Sequence, residues 1–165
     1  MGDISKEVAQ DLPKGGFSGD EYNHVARGSE LDSIRLLTSK FSIDPEYWDV
    51  KDQVKLSYGR KIIGCQYSNE DNVVVAIFQY HVEAKHLRKR VISFSAEYGV
   101  SYNLAEDATE AAAIGFCKNV GKFAAYPYFR ALAAHILTEA GVNLPPLPAI
   151  ASTAHIQKKP KEQSE

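Results

Sequence analysis

The sequence has 165 residues, a formal net charge of −2 and 44% hydrophobic residues, a composition typical of one soluble globular domain. So small a net charge gives no strong attraction to nucleic acid or to an anionic membrane surface, and we expect neither as a partner. No apolar run approaches the ~20 residues of a membrane-spanning helix, and the first ten residues lack the apolar segment of a signal peptide. The two cysteines, Cys65 and Cys117, are interpreted as reduced thiols, and we expect a cytoplasmic protein.

Polar segments are found at both ends of the chain. Residues 1–28 lack helical or strand periodicity and are predicted to form a flexible N-terminal arm. The glycine-rich piece at residues 14–20 is not a phosphate loop, because it lacks a Lys-Ser/Thr pair and a preceding apolar strand. Residues 151–165 are small and then charged, and are predicted to form a flexible tail. The folded domain is therefore expected to span residues 29–150.

Strand patterns dominate the first half of the predicted domain. In the last of these segments, large apolar residues alternate with serine and glutamate, as in a strand with one covered face. Short connections between successive segments favour an antiparallel meander. The predicted strands are residues 31–43, 53–58, 73–84 and 91–103.

The first strand has apolar residues on both faces. Simple alternation places Leu37, Phe41 and Ile43 on one face, with Ile34 and Leu36 on the other. Each face should therefore be covered, and at least a dimer is expected.

An aromatic pair follows the first strand after Asp44-Pro45, which ends it. From the residues alone, Trp48 either plugs an edge of the sheet, which is slightly favoured, or lines a contact groove beside Tyr47. The basic segment Lys85–Arg90 joins two strands. We interpret it as a solvated hairpin tip and not as a nucleic-acid patch, because no aromatic residues are interleaved with the charges.

Two helices are predicted at the C-terminal end. Asn103 can cap the first, with Glu106 three residues later, and that helix is expected to end near Gly121. Pro127 suits the first turn of the second helix, and Gly141 suits its C-terminal stop. The apolar stripe of the second helix consists of Phe129, Leu132, Ala133, Ile136, Leu137 and Ala140.

The segment LPPLP follows this helix. Its prolines hold Leu144 and Leu147 on a stiff, extended backbone with few N–H donors. A core position explains such a loop poorly, so we expect both leucines to be displayed.

No catalytic or metal-binding pattern is found. The five histidines and two cysteines show no structural-zinc spacing, and the common hydrolase, zinc-protease and dinucleotide motifs are absent. We therefore expect no metal, no cofactor and no enzymatic activity. A small-ligand protein or enzyme using Cys117 and His135 is the least supported alternative.

The C-terminal part resembles the signature of the SecB family of chaperones, a GxF-x-x-YPYxR-like helix followed by an L-P-P-L-type loop. A weaker similarity extends back to about Ile34. The residues that carry the resemblance are Gly121, Phe123, Tyr126, Pro127, Tyr128 and Arg130, then Leu144, Pro145, Pro146 and Leu147.

The resemblance implies an α+β fold in which a four-stranded antiparallel sheet packs against C-terminal helices. It also implies a homotetramer that holds unfolded or partly folded polypeptides in apolar grooves without a nucleotide. The client-binding residues implied in this chain are Phe41, Ile43, Tyr47, Trp48, Ile136, Leu144 and Leu147.

Two departures from the family pattern bear on the client. Residues 151–165 have only Ile156 as a large apolar residue, so the second amphipathic helix of export chaperones is short or missing. The predicted sheet surface also carries Lys85, Lys89 and Arg90, which weakens attraction to the SecA motor. We therefore expect protection of an antitoxin in a toxin–antitoxin–chaperone system. The alternatives are preprotein export to SecA, and a non-catalytic subunit that binds one folded partner.

Overall fold

A four-stranded antiparallel sheet and one long helix form the framework of the protein. The computed structural model describes residues 16–149. The strand order is β1-β4-β3-β2, which confirms the predicted α+β class and antiparallel sheet. Strands β2, β3 and β4 form the predicted meander, but β1 pairs with β4 and not with β2, so the meander does not extend to the first strand. The elements are α1 (Gly19–Gly28), β1 (Glu30–Ile43), α2 (Tyr47–Val50) with a 3-10 turn (Lys51–Gln53), β2 (Lys55–Ser68), β3 (Val73–His86), β4 (Lys89–Asn103) and α3 (Glu110–Glu139).

One face of the sheet forms the core with α3. Alternate residues of the two central strands point at the helix, as the period of two requires. At the centre, the ring of Phe129 stacks on Phe94 with centroids 5.5 Å apart and on Tyr80 with centroids 5.2 Å apart. Gly121 lets the helix approach, because a Cβ there would lie 2.7 Å from the ring of Phe78. Burial of each large apolar side chain contributes about 1.5–3 kcal/mol.

The predicted division into two C-terminal helices is wrong. Asn103 is the last residue of β4, where it pairs with Glu30 and Val73. Thr109 occupies the N-cap position of the helix, and its side chain makes no capping hydrogen bond. Gly121 and Pro127 both lie inside α3. Pro127 leaves one helical hydrogen bond unmade, but its side chain is on the exposed side of the helix, and packing of the opposite side onto the sheet continues past it.

The bulges of β1 also change the predicted faces. Ile34, Leu36, Phe41 and Ile43 pair with residues of β4 that face the core, whereas Leu37 lies on the other face beside Gly99. Each register shift inserts an extra residue, so the alternation reverses after it. A further shift allows β2 to continue to Ser68, well beyond the predicted end at residue 58.

The N-terminal segment is partly structured, which corrects the prediction for residues 1–28. Helix α1 begins with a capping box between Ser18 and Glu21, and its Val25 is buried in the core. Residues 1–15 and 150–165 lie outside the described residues, so the arm and tail boundaries stay predictions. Within residues 16–149, no helix is long and apolar enough to cross a membrane.

Candidate functional site

The C-terminal loop leaves α3 through a Schellman motif. Gly141 adopts a positive φ of 68°, and the amide of Val142 donates to the carbonyl of Leu137 at 2.8 Å. The predicted stop at Gly141 is therefore confirmed. The loop then returns along the helix, and the hydroxyl of Tyr126 donates to the carbonyl of Pro148 at 2.6 Å. This hydrogen bond fixes the far end of the loop several turns back along α3.

A cavity of about 490 Å³ lies between α3 and this loop. We call it the wide cavity. Its lining is apolar apart from the polar ends of Tyr126 and Arg130. Its residues are Phe123, Tyr126, Pro127, Arg130, Ala131, Ala134, Pro146 and Ala149. The helical members recur at spacings of three and four, so they form a second stripe beside the one that packs on the sheet.

A second cavity of about 190 Å³, the narrow cavity, adjoins the first and shares Arg130, Ala134 and Pro146 with it. Its remaining lining comes from the end of α3 and from the loop, and includes Leu137, Val142, Leu144 and Leu147. The two cavities therefore follow the loop along one side of the helix.

An aromatic step extends this surface at the end of α3. Trp48 packs edge-on against Tyr47 with centroids 5.1 Å apart, and a Cβ on Gly141 would lie 3.6 Å from the Trp48 ring. Tyr47 is buried, but Trp48 is 48% exposed. Trp48 therefore presents an open apolar surface next to the start of the loop, and it does not plug the sheet edge.

The predicted client-binding residues divide between this surface and the core. Phe41, Ile43 and Leu144 are half-buried and pack on the cluster that contains Tyr47, Leu137 and Val142, while Ile136 is half-buried against the main core. Leu147 departs from expectation, because it is only 6% exposed. It packs into the main core and anchors the loop. Of the two loop leucines, only Leu144 stays partly exposed.

Several residues that line the wide cavity were not predicted as site residues. Phe123, Pro127 and Arg130 carry the match to the signature, and Pro127 is also the predicted start of a helix, but none of the three is a predicted client-binding residue. Ala131 and Ala134 are not predicted site residues either. The helical spacing of these residues could have indicated this site, because they recur every three or four residues on a face of α3 beside the one that packs on the sheet. The mistaken helix break at Pro127 concealed this second stripe.

The ionisable groups around the cavity do not form a catalytic arrangement. Burial raises the pKa of Tyr126 and strongly raises that of Tyr80, whose hydroxyl donates to the carbonyl of Lys122 at 2.7 Å. Among residues 16–149, no cluster of three or more histidine, cysteine or acidic side chains could hold a metal ion. Cys65 and Cys117 are both free and buried within the core, away from the cavity lining.

A solved structure shares this architecture. The Mycobacterium tuberculosis Rv1957 SecB-like chaperone, in complex with a ChAD peptide from the Rv1956 HigA1 antitoxin, matches with a TM-score of 0.65. The match covers 80% of this chain and 97% of that chain, at 16% sequence identity. The fold is SecB-like. No protein-family model matches the sequence, and no curated protein is similar to it in sequence. The SecB-like fold predicted from the signature is therefore confirmed by structure and not by overall sequence similarity.

Proposed function

We propose that this protein is an ATP-independent chaperone that holds non-native polypeptides along α3 and the C-terminal loop. The observation that carries the proposal is the wide cavity, an apolar cleft of about 490 Å³ on a SecB-like fold. Clefts of this size, with mostly apolar linings and few polar groups, are typical ligand sites in proteins.

The loop explains how such a site could bind clients of varied sequence. Pro145, Pro146 and Pro148 stiffen it, and the Tyr126 hydrogen bond fixes its end, so little conformational entropy is lost when a client is bound. A client in extended conformation would place its apolar side chains in the two cavities and against Trp48. Recognition by apolar burial requires no particular sequence.

An antitoxin is the client class that we propose. The support is the similar SecB-like chaperone, whose structure contains an antitoxin peptide. Export to SecA has less support, because two acidic groups of the outer sheet face are already engaged. Glu83 pairs with Lys85 and Arg90, and Glu97 accepts a hydrogen bond from Gln79.

Self-association is part of the proposal. Strand β1 is an edge strand, and its Leu31, Leu36 and Leu37 are between 45% and 49% exposed. Exposed leucines along a long unpaired edge favour pairing with another chain. We propose that a second copy covers this edge and that pairs associate into the tetramer implied by the resemblance.

The experiment measures aggregation of a guanidinium-unfolded reporter enzyme by light scattering, without ATP. The chain should suppress aggregation, and Ala131→Gln combined with Ala134→Gln should abolish most of this effect by filling the wide cavity with polar atoms. Both alanines are exposed on α3, so the fold should be retained. His135→Gln is the matched control, because His135 is exposed on the same helix but does not line either cavity.

Full suppression by the double variant would contradict the proposed site. An absence of suppression by the native chain, together with a saturable complex with one folded protein, would instead favour a non-catalytic interaction subunit.

A further inference from the structure

Three cationic side chains lie in the lining of the wide cavity or beside one of its lining rings. The guanidinium carbon of Arg60 lies 5.9 Å from the ring centroid of Phe123, and the ammonium nitrogen of Lys122 lies 5.2 Å from the same centroid. Arg130 lines both cavities. Phe123 and Tyr126 are themselves part of the lining, so these charges stand next to the apolar surface that a client would occupy.

These charges lack acidic partners in the part of the chain that the structure describes. The ion pairs there join Asp44, Glu46 and Glu83 to the basic residues of the β3–β4 hairpin, Lys85, His86, Lys89 and Arg90. No acidic side chain lines either cavity. A concave apolar wall concentrates the field of nearby charges, so we expect a positive potential at the cleft although the net charge of the chain is negative.

We propose that the wide cavity selects extended segments in which acidic residues flank an apolar anchor. The inference rests on the proposed chaperone function and specifies its client class. An anchor side chain next to Phe123 would bring carboxylates one to three residues away within reach of the cations, at about 3.3 Å of extended chain per residue. Cations beside Phe123 also keep their favourable contact with the ring when a carboxylate approaches their open side.

Two other occupants are less consistent with this charge pattern. The chain continues beyond Ala149, which lines the cavity, but residues 150–165 carry Lys158, Lys159 and Lys161 against Glu162 and Glu165. The three lysines of this segment would be repelled by the three cations. A second copy of the chain would be drawn by the exposed leucines of β1, which lie on the sheet and not at the cavity.

The test uses the full chain and three short synthetic peptides that share one leucine–tryptophan core. Their flanks carry aspartate, asparagine or lysine, and each peptide bears a net-neutral dye for anisotropy. The aspartate peptide should bind about fivefold to thirtyfold more tightly than the asparagine peptide, as expected for a few partly exposed ion pairs. The lysine peptide should bind most weakly. The preference should shrink as the salt concentration rises from about 50 mM to about 500 mM.

Charge variants locate the effect. Arg60→Gln and Lys122→Gln should each lower the ratio of aspartate to asparagine affinity severalfold, while affinity for the asparagine peptide changes little. Arg130 lines both cavities, so Arg130→Gln should lower the same ratio but should also change the affinity for the asparagine peptide. Lys61→Gln is the matched control, because Lys61 follows Arg60 in β2 but pairs with Gln79, on the opposite face of the sheet. That variant should keep the native ratio.

The outcomes separate this inference from the function on which it rests. Equal affinity for all three peptides would overturn the charge preference and leave the chaperone function standing, whereas failure to bind any of them would overturn both. A peptide of residues 150–165 that displaced the aspartate peptide equally well would identify the chain's own tail as the occupant. If the fraction of aspartate peptide bound fell as the protein concentration rose, a second copy of the chain would be the occupant of the cavity. Either result would overturn the proposal.

Discussion

Helix α3 presents two apolar faces, and the sheet covers only one of them. On the covered face, Phe129, Ala133 and Leu137 pack against β3 and β4. On the other face, Ala131 and Ala134 stay exposed, because the C-terminal loop spans that face without filling the space beneath it. Similar residue types therefore serve a core on one side and an open cleft on the other. The two faces differ in what packs against them. The covered face meets β3 and β4, which carry large side chains, whereas the open face meets only a short proline loop.

The largest difference between the two faces should appear in stability. Phe129→Ala removes a ring stacked between Phe94 and Tyr80 and should lower the free energy of unfolding by about 3–5 kcal/mol. Ala134→Gln on the open face should change it by no more than about 0.5 kcal/mol. Urea denaturation followed by circular dichroism measures both values. Similar losses for the two variants would mean that the open face is packed in solution and that the cleft is closed.

The covered face was the more predictable of the two. The alternation in β4 and the stop at Gly141 follow from local pattern, because burial on one face and a positive φ impose strong demands on residue type. The four-stranded sheet follows from the same pattern and from the resemblance carried by the signature.

The open face was less predictable because distant residues create it. Arg60 comes from β2, whereas Lys122 and Arg130 come from α3, and no local pattern indicates that they meet around one cavity. The burial of Leu147 likewise depends on how the loop returns along the helix, where Tyr126 hydrogen-bonds to the carbonyl of Pro148, and the loop sequence alone does not indicate this contact. In β1, two bulges reverse the faces that simple alternation assigns.

A smaller effect is expected when the loop is released from α3. Tyr126→Phe removes the hydrogen bond to the carbonyl of Pro148 and should lower the free energy of unfolding by about 1 kcal/mol. Pro148 is exposed, so water can replace the lost donor and the cost stays small. Binding of unfolded client should weaken more than stability does, because the wall of the cleft becomes mobile. Hydrogen exchange at the backbone amides of Val142, Asn143, Leu144 and Leu147 would report that mobility.

Tyr128→Phe is the control for this variant. Tyr128 lies two positions away on α3 but is 55% exposed, and its hydroxyl makes no hydrogen bond among the described residues. The control should leave both stability and client binding unchanged. Equal weakening of binding by the two variants would show that the Tyr126 bond does not shape the cleft.

The smallest effect concerns the Trp48 end of the open face, which charged groups hold in place. Lys89 lies 2.8 Å from Asp44 and 2.7 Å from Glu46, and His86 lies 3.5 Å from Glu46. These contacts join the hairpin tip to the segment that precedes α2 and Trp48. The hydrogen bond from Lys89 is the main cause that lowers the pKa of Asp44 and of Glu46.

Because both folded-state pKa values are lowered, the stabilisation is complete above the ordinary carboxyl pKa of about 4 and is lost as the pH falls through the lowered values. The emission of Trp48, the only tryptophan in the chain, should therefore change as the pH falls below about 4 and stay constant above that value. Lys89→Gln should move the change to higher pH, since the carboxyl groups then titrate nearer their ordinary values. Lys85→Gln, which removes a partner of Glu83 alone, should not move it. If the emission of Trp48 changed at the same pH in Lys89→Gln as in the native chain, unfolding of the core, and not release of these ion pairs, would be the cause of the change.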